Sequence, residues 1–376
     1  MKFVLIGPVY PYRGGIAHYT TVLARTLRAN QHQVLLISFL RQYPQWLFPG
    51  RSDRDPSQQP LQVDDTGQAP NYWIDSLNPF TWLTTFGRIR HAKPDVLVLQ
   101  WWTSFWAPIW LTLLVLNRLF LRSRVVIICH NVLPHDARRW DRWLAKAVLR
   151  WANRIIVQSE AEQARLASLM EAPDVCIVPL PVFAMFTGEV LPRAEARRRL
   201  DLPAEAALML FFGIVRRYKG LADLLVVLAQ IRAQLDQPHL LIAGEFWEDK
   251  QPYLEMIERL QLADIVTIHD HYIPNETLPT YFAAADVLVT AHRQKTGSGA
   301  IQMATGFGLP VVMPPDAPNE RASEASVNGT LDHATHRAAL AQAMLDYWRK
   351  PATYTDSPAI SEPDQSWVRL VDALLV

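Results

Sequence analysis

The sequence predicts an α/β protein with two doubly wound, Rossmann-like parallel sheets, each in its own domain. Three observations predict it. Short apolar runs alternate with helical patterns from end to end, as parallel strands joined by crossover helices require. At 376 residues the chain is too long for one ordinary core, and half of it is hydrophobic, enough for two. A stretch holding Pro179, Pro181 and Pro192 separates two similar series of apolar runs and reads as the linker. The expected division is residues 1–185, residues 186–350, and a tail over residues 351–376 that packs back toward the N-terminal domain.

The first half offers five strands: Phe3–Ile6, Val34–Ser38, Val96–Gln100, Val125–Cys129 and Ile155–Gln158. The loop Gly7–Tyr19 leaves the first of these and opens a helix, so Gly14 and Gly15 stand where backbone can approach a ligand closely. A plain turn with a cap is the other reading of that pair. From Arg41 to Asn78 the chain is rich in Pro, Gln and Asp without clear periodicity, which predicts a long functional or mobile loop. The Trp101–Leu116 run is very apolar, but Pro108, Asn117 and Arg118 break any span of about 20 apolar residues. It is expected to be a buried or membrane-surface helix. His130, Asn131 and His135 follow the strand Val125–Cys129, at the end of a strand where ligands bind. Between Arg138 and Arg154, Trp140, Trp143, Leu144, Ala147, Val148 and Trp151 share one helical face, with Arg139, Arg142, Lys146 and Arg150 on another. The tryptophan stripe is expected to pack as core against the N-terminal sheet.

The second half repeats the rhythm, with strands at Met209–Phe212, Leu240–Ala243, Ile265–Ile268, Val287–Thr290 and Val311–Met313. Gly213, Arg216, Arg217, Lys219 and Gly220 follow the first. Three cations at the carboxyl end of a strand repel one another unless solvent or an anion faces them. Arg216 and Lys219 therefore suit a diphosphate, both bound and departing. Gly244 and Glu245 close the next strand and are placed to line the same crevice. Thr296, Gly297, Ser298 and Gly299 form a small-residue loop delivered by a strand onto a short helix. The first N–H groups of such a helix have no partner inside it and attract phosphate.

Composition narrows the function classes. Net charge is +1, which argues against a general nucleic-acid binder. Locally the balance differs: from Arg88 to Arg154 there are twelve Arg/Lys against Asp95, Asp136 and Asp141, or +9. This basic region leaves contact with an anionic membrane surface open. Cys129 and Cys176, each in an apolar run, fit buried reduced thiols of a cytosolic protein. The N-terminus reads as a first strand, not a signal peptide. No metal-ligand cluster stands out. Asp53-Arg54-Asp55 has a metal-binding spacing but lies in a polar loop.

Taken in order, Gly14-Gly15, Phe212-Gly213 with Lys219-Gly220, Tyr281–Asp286 and Gly308-Leu309-Pro310-Val311-Val312 resemble the family 4 glycosyltransferases of the GT-B fold. The resemblance covers nearly the whole chain, and it is the order and spacing of the pieces that carry it. It implies two Rossmann-like domains facing a cleft, with a nucleotide-sugar donor held by the C-terminal one. It also implies that Gly14-Gly15 reach the donor diphosphate, that Arg216 and Lys219 grip the same phosphates, and that transfer retains anomeric configuration without a metal. The turn at Tyr272-Ile273 resembles the one whose backbone meets the nucleobase. His130 resembles a histidine near the reacting sugar.

The chain departs from the family where two glutamates normally stand; those positions are Lys295 and Met303 here. Ser298-Gly299 resembles a bacterial variant of the loop. The expected enzyme is thus a hexosyltransferase-like, retaining glycosyltransferase of glycan or glycolipid assembly. Its co-substrate is a nucleotide sugar and its acceptor a glycan or lipid-linked molecule; no cofactor or metal is expected. A cytosolic enzyme, meeting the inner face of a membrane through the basic region, fits these features. Two alternatives are a GT-B nucleotide-sugar epimerase and a non-catalytic GT-B scaffold that binds sugar or lipid.

Overall fold

Runs such as Phe3-Val4-Leu5-Ile6 carry no polar side chain on either face, and all four residues are fully buried. That is the signature of a central parallel strand covered on both sides. The computed structural model describes all residues except 64–68, 135–136, 172–173, 184–185, 187–190, 293–297, 315–332, 350–364 and 376. The chain divides into two units, Met1–Pro181 with Asp364–Val376, and Val182–Pro363.

Unit 1 runs β1 (Lys2–Ile6), α1 (Gly15–Ala29), β2 (Gln33–Arg41), β3 (Asn71–Asp75), α2 (Pro79–Ala92), β4 (Val96–Trp101), α3 (Ala107–Phe120), β5 (Arg124–Cys129), α4 (Arg139–Leu149), β6 (Arg154–Val157), α5 (Glu160–Leu169) and β7 (Val175–Ile177). The seven strands are parallel, in the order β3-β2-β1-β4-β5-β6-β7. The order reverses direction between β1 and β4, so the ligand crevice of this sheet lies outside their carboxyl ends. Local chemistry sets the helix ends. The Asn78 side chain accepts from Phe80 N, with Pro79 at the first turn of α2. Ser159 caps Glu162 N on α5.

Unit 2 runs α6 (Arg193–Arg199), β8 (Ala207–Phe212), α7 (Leu221–Ile231), β9 (Pro238–Ala243), α8 (Gln251–Arg259), β10 (Val266–His269), α9 (Leu278–Ala284), β11 (Val287–Val289), α10 (Gly299–Gly306), β12 (Val311–Val312) and α11 (His333–Arg349). Its five parallel strands are ordered β10-β9-β8-β11-β12, with the reversal between β8 and β11. The last helix, α12 (Gln365–Leu375), returns to unit 1. There Trp367 meets Tyr19 of α1 at 5.2 Å between ring centres. Arg124 and Arg154 donate to the carbonyls of Leu375 and Ala373, satisfying orphan acceptors at the helix end.

The structure corrects several expectations. Unit 1 has seven strands rather than five. β3 hides inside the Arg41–Asn78 stretch because Asn71 and Asp75 bracket only three apolar residues, and β7 is three residues long. Cys129 is buried and free, as expected, but Cys176 is half-exposed on the edge strand β7. In the Trp-rich run, Trp101, Trp106 and Trp110 are fully buried, so that segment is core, and no helix among the described residues is long and apolar enough to cross a membrane.

The expected stripe on α4 holds only in part: Val148 is buried and Leu144 and Trp151 pack against the core, but the two leading tryptophans do not. The helix buries Asp141, Ala145, Val148 and Leu149, and leaves Trp140 and Trp143 59% and 67% exposed. Asp141 lies on the buried side. Its carboxylate accepts from the Ser104 hydroxyl and from Arg138 N, which pins that edge inward, while Ala145 allows close approach to the layer beneath. The carboxylates of Asp53-Arg54-Asp55 also diverge: Asp53 lies 3.5 Å from Arg54 Nε, whereas Asp55 turns to His18 and Ser57.

Candidate functional site

In unit 2 the site begins with backbone. Gly213 follows β8 at φ +99 and Gly244 follows β9 at φ +151. A Cβ on Gly244 would stand 2.1 Å from the Gly213 carbonyl, so the two loops touch only because that position has no side chain. They are then knit together: Val215 N donates to Glu245 O at 2.9 Å, Trp247 N to Val215 O at 3.2 Å, and Arg217 N to the Glu248 carboxylate at 2.9 Å. Glu245 is buried in this seam.

The seam aims the cations. The Arg216 guanidinium lies over the Trp247 indole, 4.6 Å from its centre. A Cβ on Gly213 would stand 2.9 Å from Lys219 Nζ, so that glycine makes room for the ammonium. Burial, and next the charge of Arg216, push the Lys219 pKa down to about 8. No carboxylate among the described residues forms an ion pair with Arg216 or Lys219. The two cations thus sit together at the carboxyl end of β8, beside the sheet's reversal point.

The other edge of that crevice is β11. Beyond it, Ser298 stands at the N-cap of α10 in extended conformation, and its side chain makes no capping bond. Gly299 therefore begins a helix whose first N–H groups have no intrahelical partner. Thr296, Gly297 and Lys295 lie outside the described residues, as does His135 of unit 1. Met303, where the family resemblance expects an acid, is buried on α10. After β10, Ile273 is buried and Tyr272 half-buried. His269, the last residue of β10, is joined to the Tyr281 hydroxyl at 2.8 Å.

In unit 1 the strand ends carry a chain of polar side chains. Gln158 Nε2 donates to His130 Nδ1 at 3.0 Å, and His130 Nε2 donates to Gln100 Oε1 at 2.5 Å. Gln100 Nε2 donates to Thr20 Oγ1 at 2.7 Å, and the Thr20 hydroxyl donates to Ile16 O at 2.8 Å. The chain thus crosses β6, β5 and β4 and ends on the first turn of α1, just past the glycine pair. Burial pushes the His130 pKa down to about 3, so the ring is neutral with its proton on Nε2. Both ring nitrogens are committed, a geometry for orientation rather than for taking up a proton. Asn131 is half-buried, and the next residue, Val132, donates its N–H to the buried Glu162 carboxylate at 2.6 Å.

Gly14 caps α1 at φ +101 and Gly15 is exposed, with nothing within 4 Å of a Cβ built on either. The loop is strapped from one side. Arg13 N donates to Asp53 O at 3.1 Å, Asp55 N to Pro11 O at 2.9 Å, and Tyr12 pairs with Arg54 as an antiparallel bridge. Asp55 faces His18 at 3.8 Å and accepts from Ser57 N at 2.9 Å. Burial alone would raise its pKa, but the nearby His18 and the hydrogen bonds from Ser57 outweigh that and hold the carboxyl below its usual value.

A Glycosyl transferase 4-like domain matches residues 14–182, and a Glycosyl transferases group 1 domain matches residues 206–350. The chain belongs to the family 4 glycosyltransferases. Among curated relatives, this family 4 glycosyltransferase is 27% identical over 246 residues to D-inositol 3-phosphate glycosyltransferase 1 of Catenulispora acidiphila, a match covering 61% of this chain and 57% of that one. It thus spans little more than half the length of that relative. It is 26% identical to the GDP-mannose:glycolipid 4-beta-D-mannosyltransferase of Xanthomonas campestris pv. campestris, over 69% of each chain. Its fold matches the Anabaena HepE structure in complex with UDP and glucose, with a TM-score of 0.70 at 15% identity over 100% of this chain and 99% of the other. It also matches sucrose-phosphate synthase from Thermosynechococcus elongatus, with a TM-score of 0.65 at 21% identity, covering 100% and 96%. These are GT-B structures, and both units of this glycosyltransferase have that architecture.

Sequence reasoning missed Trp247, Gln100, Gln158 and Asp55. Trp247 sits just past Gly244-Glu245, where an aromatic beside a cationic loop is a weak signal. Gln100 and Gln158 both end strands, a position that carries meaning only once the sheet order is known. The Asp55 pairing with His18 spans the loop read as aperiodic.

Proposed function

We propose that this protein transfers a sugar from a nucleoside-diphosphate sugar to a glycan or lipid-linked hydroxyl acceptor, with retention at the anomeric carbon. The observation that supports it best is the pair Arg216 and Lys219, set by the Gly213–Gly244 contact at the carboxyl end of β8. Two cations with no carboxylate partner among the described residues suit a diphosphate that gains charge as it leaves. Ser298 and Gly299 on α10 add backbone donors for the same anion, and Tyr272 and Ile273 offer backbone to the nucleobase. Gly14 and Gly15 offer an open backbone approach on unit 1, and His130 and Asn131 serve the acceptor side.

In the proposed reaction the acceptor oxygen forms its bond to the anomeric carbon on the face from which the phosphate oxygen departs. The acceptor proton passes to that phosphate oxygen, and the nucleoside diphosphate leaves carrying it. Arg216 and Lys219 neutralise the leaving group, the role a metal ion fills in other transferases. The name of the Xanthomonas relative, with its glycolipid acceptor, supports a lipid-linked acceptor, and the basic N-terminal half supports work at a membrane face.

The test is a panel of UDP-, GDP-, ADP- and TDP-sugars, read for donor hydrolysis and for transfer to lipid-linked and free glycans. Turnover of one donor, undiminished by EDTA and giving a product of the donor's own anomeric configuration by NMR, is expected. A folded protein that binds none of the donors contradicts the proposal.

A further inference from the structure

Helix α4 buries Val148 and packs Leu144 on the core, but leaves the tryptophan edge of the expected stripe in solvent. Trp140 and Trp143 stand one turn apart and are among the most exposed large side chains of unit 1. Arg138 lies over Trp140, and Arg139, Arg142 and Lys146 flank the pair on the exposed side of the helix. The one acid of the helix, Asp141, is buried and already bonded to Ser104 and Arg138 N, so the outer face carries no negative charge. The first turn of α4 also lies at the carboxyl end of the sheet, the end that carries His130 and Asn131.

We propose that this face seats unit 1 on an anionic lipid bilayer, with Trp140 and Trp143 at the boundary between headgroups and acyl chains. Charge complementarity selects that occupant. A continuous sheet of anionic headgroups satisfies four clustered cations in any rotation about the patch, and each basic residue near such a surface contributes about fivefold to binding. Indole rings, apolar in body with one N–H, are the side chains that settle at that depth. The docked rim lies beside the strand ends of unit 1, so an acceptor anchored in the same bilayer would emerge next to them. The inference goes beyond the donor chemistry and does not depend on it.

The experiment is sedimentation of the full chain with vesicles of phosphatidylcholine, alone and with phosphatidylglycerol added, at low and high salt and without any nucleotide. The wild type should bind the anionic vesicles at least about tenfold more tightly than the neutral ones, and lose that advantage in salt. Trp140→Ala with Trp143→Ala, and separately Arg139→Glu with Arg142→Glu, should each weaken binding by about tenfold or more. The exposed substitution Arg259→Glu in unit 2 should leave it unchanged. Circular dichroism melts matching the wild type show that the variants fold. UDP and GDP binding, measured without vesicles, should be the same in all of them, which separates this surface from the donor site. No binding to anionic vesicles, or binding that both double variants keep, overturns the proposal. So does light scattering that shows a dimer dispersed by the tryptophan substitutions, since that would assign the face to a second copy of the chain.

Discussion

The ammonium of Lys219 fills the space that a side chain at Gly213 would need, with Nζ 2.9 Å from where a Cβ would stand. A glycine and a lysine six positions apart thus form one device: the backbone makes room and the cation takes it. Gly213→Ala should force the ammonium aside and strain a backbone at φ +99. The expected cost is about 1–3 kcal/mol of stability, read from thermal melts. Nucleoside-diphosphate affinity should fall by about tenfold, read by calorimetry, as for the loss of one charged hydrogen bond. Wild-type affinity in a folded Gly213→Ala protein would refute the coupling.

Lys219 gives the site a pH signature. Its pKa of about 8 lies below that of a free lysine, so between the two the unfolded chain binds the extra proton. Stability of the unliganded protein therefore gains from this group as pH rises through about 8 and upward. Binding runs the other way. A diphosphate favours the charged ammonium, so it should draw a proton from solvent near pH 8, and affinity should decline above that. Calorimetry in buffers of different ionisation enthalpy measures the uptake; Lys219→Met should abolish it.

Trp247 acts through Arg216. Removing the indole in Trp247→Ala frees the guanidinium and forfeits about 1 kcal/mol of cation–π attraction, so the donor KM should rise about fivefold. Trp247→Phe should keep most of the effect, because a benzene face also attracts the cation. A change in kcat with KM unmoved would place the tryptophan elsewhere in the cycle.

Asp55 holds the glycine loop through His18. Its side chain is only 3% exposed, and Asp55→Asn removes the charge that faces His18 and accepts from Ser57, at a cost of about 1.5–3 kcal/mol. Amide exchange of residues 14–18 should accelerate relative to the rest of unit 1. The depressed carboxyl pKa means that this stabilisation is present above the usual carboxylate range and is lost as pH falls through the native value. In Asp55→Asn that acid sensitivity should shrink.

Much of this was legible in the chain itself. Short apolar runs located the central strands of both sheets, because a parallel strand buried on both faces is mostly apolar, although β2 runs on to Arg41 past the expected end at Ser38. The placing of Gly213, Arg216 and Lys219 together after β8 was legible because they follow that strand directly in the chain. What escaped was set by tertiary contacts. Periodicity gave α4 a tryptophan-bearing stripe, but the helix buries only its Val148 side, with Asp141 bonded inward and Trp140 and Trp143 left outside. β3 and β7 are too short to show a period. His130 was visible as a strand-end histidine, yet its neutral, fully bonded state depends on Gln100 and Gln158, thirty and twenty-eight positions away. One glutamate position of the family motif falls at Met303, which is buried on α10.

The central claim is that Arg216 and Lys219 hold a nucleotide-sugar diphosphate, and titration calorimetry tests it most directly. UDP and GDP and their sugars are titrated into the wild type, Arg216→Ala and Lys219→Met. At least one nucleotide should bind the wild type saturably and bind each variant at least about tenfold more weakly, with melting curves showing all three folded. Undiminished affinity in both variants, or no binding by a folded wild type, would contradict the account.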